Sequence, residues 1–217
     1  MLDFKTILHG PCSLSRPLAG VVLSLTMFFS GCSSNPYPPV PEPQRKISPD
    51  YNYVVGAGDT VEIFVWGNEE LTTGVVVRPD GKFTTRLVED VRASGMTSTE
   101  LAREIEKEYA EYVRQPVVSV IVNGFVGTPE QRVRVIGEAT SPIGIPYTMY
   151  MSLLDLMIAV GGMTEYADGN NSVLVRMEDG KQNSYALRLD DLVKDGDISA
   201  NITLMPGDVI IISESWF

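Results

Sequence analysis

Histidine and cysteine are almost missing from this chain. Its 217 residues hold one histidine, His9, and two cysteines, Cys12 and Cys32, so beyond position 32 there is neither. That absence removes the Ser/His/Asp triad, the Cys/His nucleophile pair, zinc clusters and histidine-ligated haem from the chemistry this part of the chain can build. It also rules out a disulfide there, so stability has to come from burial. Positive charge is scarce too, with 17 Lys and Arg against 28 Asp and Glu and a net charge of −11. An acidic balance of that size opposes binding to nucleic acid and to anionic lipid surfaces. No apolar run past residue 29 approaches the roughly 20 residues that a bilayer-spanning helix needs.

What the chain does have begins at its start. Lys5 and Arg16 precede an apolar run at 18–29, and small residues follow, a pattern that predicts a secretory signal peptide over 1–31. Ser30-Gly31-Cys32 resembles the bacterial lipobox, with Phe29 where a leucine is usual. The resemblance implies that Cys32 is acylated and becomes the new N-terminus, and two or more acyl chains hold a protein stably on a membrane. By the same resemblance, Ser33 after the cysteine implies sorting to the outer membrane, facing the periplasm. Residues 33–49 contain six prolines. With the lipidated cysteine, residues 32–49 are expected to form a semi-extended tether reaching at most about 50 Å, at about 3.1 Å per residue.

From residue 53 the pattern turns to strands. Residues 53–55 and 60–66 predict two of them around the turn Gly56-Ala57-Gly58-Asp59. Residues 75–77 and 83–87 flank Arg78-Pro79-Asp80-Gly81-Lys82, where proline presets one torsion and glycine accepts positive φ, so a hairpin is expected. Thr97 and Glu100 form a capping box for a helix carrying Leu101, Ile105, Tyr109 and Tyr112 on one stripe, ending near Arg114 ahead of Pro116. Residues 117–122 predict a strand buried on both faces or covered by that helix.

After a glycine and proline junction at 125–130 the order partly repeats. A strand at 132–136 precedes a helix opened by Ser152, with Asp155 as capping partner, carrying Leu153, Leu156, Met157 and Val160 and stopped by Gly161 and Gly162. Strands are expected at 172–176, 184–189 and 204–212. The fold class is therefore α+β, two small mixed β-sheet domains at 50–125 and 131–213, each with a packed helix. Residues 55–63 and 204–212 echo each other, placing Gly58-Asp59 and Gly207-Asp208 just before a strand. These glycines and aspartates, with Gly161 and Gly162, read as turn and cap positions in which Asp bonds its own backbone.

The run from Tyr53 through Gly56, Gly58 and Asp59 to Trp66, followed by Val77-Arg78-Pro79-Asp80-Gly81, resembles the first domain of Wza-type polysaccharide export proteins. Val135-Ile136-Gly137-Glu138, Pro146-Tyr147, Leu153-Leu154-Asp155, Ala159-Val160-Gly161-Gly162 and Leu204-Met205-Pro206-Gly207-Asp208-Val209-Ile210 are similar to the β-grasp domain, SLBB, that follows in that family, including exosortase-associated exopolysaccharide exporters. There are departures. The usual Pro-Gly after the Gly-Glu strand is replaced by residues 140–146, only one β-grasp unit is present, and the family's appended pore helix has no counterpart before Trp216-Phe217. The resemblance implies a homo-oligomeric ring on the periplasmic face of the outer membrane. It also implies a polysaccharide chain as cargo, an inner-membrane copolymerase as partner, and a separate outer-membrane β-barrel in place of a self-made pore.

The expected function is a non-catalytic conduit for exopolysaccharide or capsular polysaccharide, without cofactor or metal. A monomeric periplasmic lipoprotein that binds a soluble ligand through its β-grasp domain is the alternative left open. Carboxylates that a glycosidase reading would pair, Asp59 with Glu62 or Glu138 with Asp155, have no spacing that marks an acid beside an ionised partner. Trp66, Tyr109, Tyr112, Tyr147, Tyr150 and Tyr166 are candidates for stacking on sugar rings. Trp216 and Phe217 are candidates for a membrane or subunit boundary, and Arg176 and Arg188 for contacts between subunits.

Overall fold

Val61, Ile63 and Val65 alternate with Thr60, Glu62 and Phe64, and this period of two makes Thr60–Val65 a strand, β1, with one buried face. The computed structural model describes residues 35–41 and 51–216. The expected signal peptide, the acylated Cys32, most of the tether and Phe217 lie outside them.

β1 is the middle of a three-stranded antiparallel sheet between β2 (Thr73–Val76) and β5 (Val118–Gly124). Helix α1 (Ser98–Tyr109) lays Leu101, Ile105 and Tyr109, all buried, on the inner face of this sheet. Each fully buried aliphatic chain of this kind contributes about 1.5–3 kcal/mol. The helix opens as expected: the Thr97 hydroxyl accepts from Glu100 N–H at 3.3 Å, and the Glu100 carboxylate accepts from Thr97 N–H at 2.8 Å. Two short strands, β3 (Lys82–Phe83) and β4 (Val91–Arg92), form a separate ribbon beside the sheet.

Several local expectations change here. Residues 53–55 do not pair as a strand, although Val55 is buried in the core. The turn at 78–82 forms, with Arg78 N–H donating to Lys82 O and Gly81 N–H to Arg78 O, both at 2.8 Å. Its arms part company, since β2 pairs with β1 and β3 with β4, so no hairpin ladder extends from it. The helix stops at Tyr109 instead of near Arg114, because its buried stripe ends there and Tyr112 is 62% exposed. Pro116 set an outer limit that the loss of packing reached first. β5 is an edge strand covered by α1 on one face and open on the other, where Ile121 is exposed.

The second domain is a five-stranded mixed sheet in the order β7-β6-β10-β8-β9. These strands are β6 (Arg132–Gly137), β7 (Gly144–Pro146), β8 (Ala167–Glu178), β9 (Lys181–Ala186) and β10 (Val209–Glu214). The central β6 and β10 run parallel and the remaining pairs antiparallel. Helix α2 (Leu153–Ala159) packs Leu153, Leu156 and Met157 into a core shared with Val133, Leu174 and Ile210. A short helix, α3 (Leu189–Val193), takes over where the last residue of the expected strand at 184–189 was placed. The expected strand at 204–212 begins only at Val209, the residues before it being the Gly207-Asp208 turn.

Part of the expected tether is docked. Ala186 N–H donates to Pro38 O at 2.8 Å, Asn35 Nδ2 donates to Ser172 O at 3.0 Å, and Val40 packs on the second core. Residues 35–41 thereby cover the outer edge of β9, which an open sheet would otherwise expose.

Candidate functional site

The two Gly-Asp turns lead to the junction between the domains. Asp59 is fully buried. One carboxylate oxygen accepts from Gly56 N–H at 2.8 Å and the Tyr53 hydroxyl at 2.6 Å. The other accepts from Val126 N–H at 2.7 Å and Gly127 N–H at 2.9 Å. Two of these donors belong to the linker, so a buried charge in the first domain holds the chain that leads into the second. Charge-assisted bonds of this kind are about twice as strong as neutral ones. Burial, and then the hydrogen bond and charge of Asp59, push the Tyr53 hydroxyl well above its ordinary value.

Close packing adds to this clamp. A Cβ on Gly56 would stand 2.2 Å from the Gly127 carbonyl carbon, so only glycine lets the two backbones meet. Tyr53 meets Phe125 edge-on at 5.2 Å, and Tyr51 meets Tyr147 of the second domain at 5.1 Å. Gln131 bridges back, accepting from Val54 N–H and donating to Asn52 O, each at 3.2 Å. On the far side of the linker, Gly207 has φ +87, and a Cβ there would lie 3.2 Å from Glu130 O. The linker thus passes between the two echoed turns.

Asp208 uses the same local geometry differently. Its carboxylate accepts from Met205 N–H at 2.8 Å, and from Arg176 through Nε at 2.8 Å and Nη2 at 2.6 Å. Both side chains are shut off from solvent, Arg176 being 1% exposed. Burial pushes the Asp208 carboxyl up from its ordinary range, and the hydrogen bond and charge of Arg176 oppose that shift. Arg176 is therefore a core residue and not a contact for a neighbouring subunit. Arg188 is half-exposed and paired with Asp191 and Asp197. Gly161 and Gly162 end α2 with φ +77 and +86, and Gly162 N–H donates to Met157 O at 2.8 Å. Cys32 lies outside the described residues.

The carboxylates of the glycosidase reading are in structural use. Both oxygens of Asp59 are taken, Glu62 accepts from Asn123, Glu138 accepts from Thr164, and Asp155 caps α2. The Ser152 hydroxyl and N–H hold the Asp155 carboxyl below its ordinary range. Among the described residues, no group of three or more His, Cys, Asp or Glu is placed to hold a metal ion, and no helix is long and apolar enough to cross a membrane.

Of the aromatic candidates, Tyr109 and Tyr147 are core, whereas Trp66, Tyr112, Tyr150, Tyr166 and Trp216 are exposed. Trp66 sits edge-on to Phe64 at 6.4 Å, beside Val117, and exposed Ile121, opposite Glu62, shares the open face of the first sheet. Tyr150 holds φ +69, a strained setting for a bulky residue.

Two hollows open at the junction. One, of about 420 Å³, is lined by the turn Pro79-Asp80-Gly81-Lys82 with Arg92 and Ser94. The other, of about 440 Å³, is lined by Val126, Gly127, Thr128, Pro129, Arg132 and Arg134. Ala57, Pro79 and Ser94 line both, so the two form one trough. The sequence motifs marked its turn but not the residues that join it from β4 and β6. An alternation of arginines at 132 and 134 was the available signal.

Residues 47–123 match the family model for polysaccharide biosynthesis/export proteins, and residues 131–212 match that for the SLBB domain. The chain is 27% identical over 190 positions to the EPS I polysaccharide export outer membrane protein EpsA of Ralstonia nicotianae, covering 75% of this chain and 47% of that protein. It is 26% identical over 186 positions to the protein of the same description from Ralstonia solanacearum, covering 73% and 47%. The chain spans about half the length of the curated relatives it matches.

Proposed function

The chain belongs to the polysaccharide export family, with an SLBB β-grasp domain behind its export domain, and from that premise we propose that it is a lipid-anchored subunit of a periplasmic conduit for exopolysaccharide. The observation that carries this reading is the Asp59 clamp. Four donors, two of them from the linker, fix the export domain to the linker, and Gln131 and the Tyr51–Tyr147 contact carry the connection on to the SLBB domain, which supports a pair of domains that acts as one stave. A ring of stiff staves keeps a lumen open against the chain sliding through it, whereas domains on a loose hinge would fold in. Closed rings are the usual outcome of such repeated contacts.

The remaining parts fit this role. The open face carrying Phe64, Trp66 and Ile121 is where a neighbouring subunit would pack. Acylation of Cys32, behind a signal peptide at 1–31 and ahead of a tether at 32–49, would hold the ring to the outer membrane on its periplasmic side. The protein performs no bond chemistry in this reading: its work is to enclose, and the inner-membrane copolymerase and a separate β-barrel complete the route. The test is deletion of the gene with complementation, scored by secreted polymer, together with electron microscopy of detergent-extracted protein. Loss of secretion with polymer retained in the periplasm, and closed rings in the images, is the expected result. Unchanged secretion, or compact monomers alone under gentle extraction, overturns it in favour of a monomeric ligand-binding lipoprotein.

A further inference from the structure

We infer that the trough at the domain junction is a binding site for an acidic stretch of glycan, recognised through carboxylate or phosphate groups on its sugars. This rests on the export reading above and names the chemical class of polymer that the junction would hold.

Charge segregation is the first observation. In a chain of net charge −11, the trough collects four cations, Lys82, Arg92, Arg132 and Arg134, against one carboxylate, Asp80. Asp80 is already engaged by Arg78, through Nε at 3.1 Å and Nη2 at 2.9 Å. Among the described residues, none of the four cations forms a salt bridge, although the Arg78 hydrogen bond, helped by the charge of Lys82, holds the Asp80 carboxyl below its ordinary range.

The second observation is their placement. Lys82 and Arg92 are directly opposed in the β3–β4 register, and like charges so placed repel each other. Arg132 and Arg134 stand two apart on β6, which puts them on one face. Among the described residues, Arg132 gives Nη2 to Gly144 O while its buried Nε N–H has no acceptor, and the side chain of Arg134 is held only by Pro129 O at 3.3 Å. Buried donors without acceptors are uncommon in folded proteins. The opposed Lys82–Arg92 pair and the unpaired Arg132 Nε N–H are thus each costly to the protein alone, and an anion seated in the trough would relieve them.

The rest of the lining suits a sugar better than a bare ion. Ala57, Pro79 and Pro129 offer small apolar surfaces for a ring's C–H face, and Ser94 and Thr128 add hydroxyls to the lining. Each hollow falls within the roughly 300–1,000 Å³ of small-ligand sites. Exposed cations in a wet trough bind weakly and in a salt-dependent way, which lets a polymer pause without being trapped.

The experiment is calorimetric titration of the full chain in mild detergent with three probes: a galacturonate hexamer, the same hexamer with its carboxyls reduced to alcohols, and a phosphorylated glucan hexamer. Saturable binding of at least one acidic probe, and none of the neutral hexamer, is expected. Arg92→Gln with Arg134→Gln should weaken it about tenfold, while Arg188→Gln, an exposed arginine outside the trough, should leave it unchanged. Which acidic probe binds identifies the substituent. Both substituted arginines are solvent-exposed, and an unchanged thermal unfolding midpoint confirms that the double variant folds. Equal affinity for the neutral hexamer, no binding of either acidic probe, or unaltered binding by the double variant overturns the inference. Complementing the deletion strain separates the two readings. If the double variant binds acidic probes as tightly as the parent while deletion abolishes secretion, the trough assignment fails alone; if deletion leaves secretion intact, the conduit reading fails whatever the titration shows.

Discussion

At the turn ending in Asp59, the aspartate N–H donates to Gly56 O at 3.3 Å, and at the turn ending in Asp208 the matching bond runs to Met205 O at 3.2 Å. Both follow a glycine of positive φ, Gly58 at +92 and Gly207 at +87, both turn the carboxylate back onto the N–H three residues earlier, and both bury it completely. The remaining acceptor capacity goes to different places. Asp59 spends it on backbone N–H groups of the linker and on Tyr53, outside its own sheet. Asp208 gives it to one arginine inside its own domain. The comparison teaches that a shared turn specifies where a carboxylate is held, while the neighbours that converge on it specify whether it joins domains or ties one together.

The sharpest way to break the comparison is at Asp208. Asp208→Asn takes the carboxylate away from buried Arg176, which keeps the Thr203 carbonyl as an acceptor, and removing one partner of such a pair costs about 3–5 kcal/mol. Urea unfolding should show a loss of that size in the SLBB domain, and a loss below about 1 kcal/mol would mean that the Thr203 carbonyl and the remaining neighbours of Arg176 suffice to hold its charge. Asp59→Asn should cost less, about 1–3 kcal/mol, because its donors are dipoles that an amide oxygen can partly serve. Its signature is local. Amide exchange at Val126 and Gly127 should speed up in Asp59→Asn and stay at parent rates in Asp208→Asn, and equal rates in both variants would dissolve the distinction.

The smallest effect concerns what the two domains have in common. Each opens its main helix with a capping box, Thr97 with Glu100 and Ser152 with Asp155. Thr97→Ala and Ser152→Ala should each cost about 1 kcal/mol in the domain that carries the substitution. Hydrogen bonds from Thr97 hold Glu100, and those from Ser152 hold Asp155, below the ordinary values of 4.5 and 3.8. A carboxyl lowered by folding contributes stability above its unfolded value and loses it as pH falls through the folded one. Acid titration followed by circular dichroism should therefore show stability declining below about pH 4. Ser152→Ala should flatten the part of that decline that belongs to the SLBB domain, and an unchanged slope would assign the acid sensitivity elsewhere.

Much of this architecture could be read locally. Thr97 and Ser152 with their acidic partners, the glycine stop at 161–162 and the alternation through 60–65 each depend on atoms a few residues apart, so short-range patterns report them faithfully. The misjudged elements are those decided by distant partners. The arms of the 78–82 turn are extended and turn-flanked, as a hairpin requires, but β1 competes for one arm and β4 for the other. Arg176 falls in phase with buried Ser172 and Leu174 on β8 but, as a charged residue, reads as an edge-strand cation until Asp208, 32 residues away, is brought against it.

The junction follows the same division. Sequence by itself determined the two Gly-Asp turns, the glycine and proline junction at 125–130 and the order of the export and SLBB domains, because backbone torsions and capping bonds are set by nearest neighbours. Only the tertiary structure decided that the linker runs between the turns, that Asp59 binds it through Val126 and Gly127, and that cations from β3, β4 and β6 gather on one trough. Buried charge finds its partners, and surface charge its neighbours, by distance in space, and a one-dimensional pattern carries no such distance.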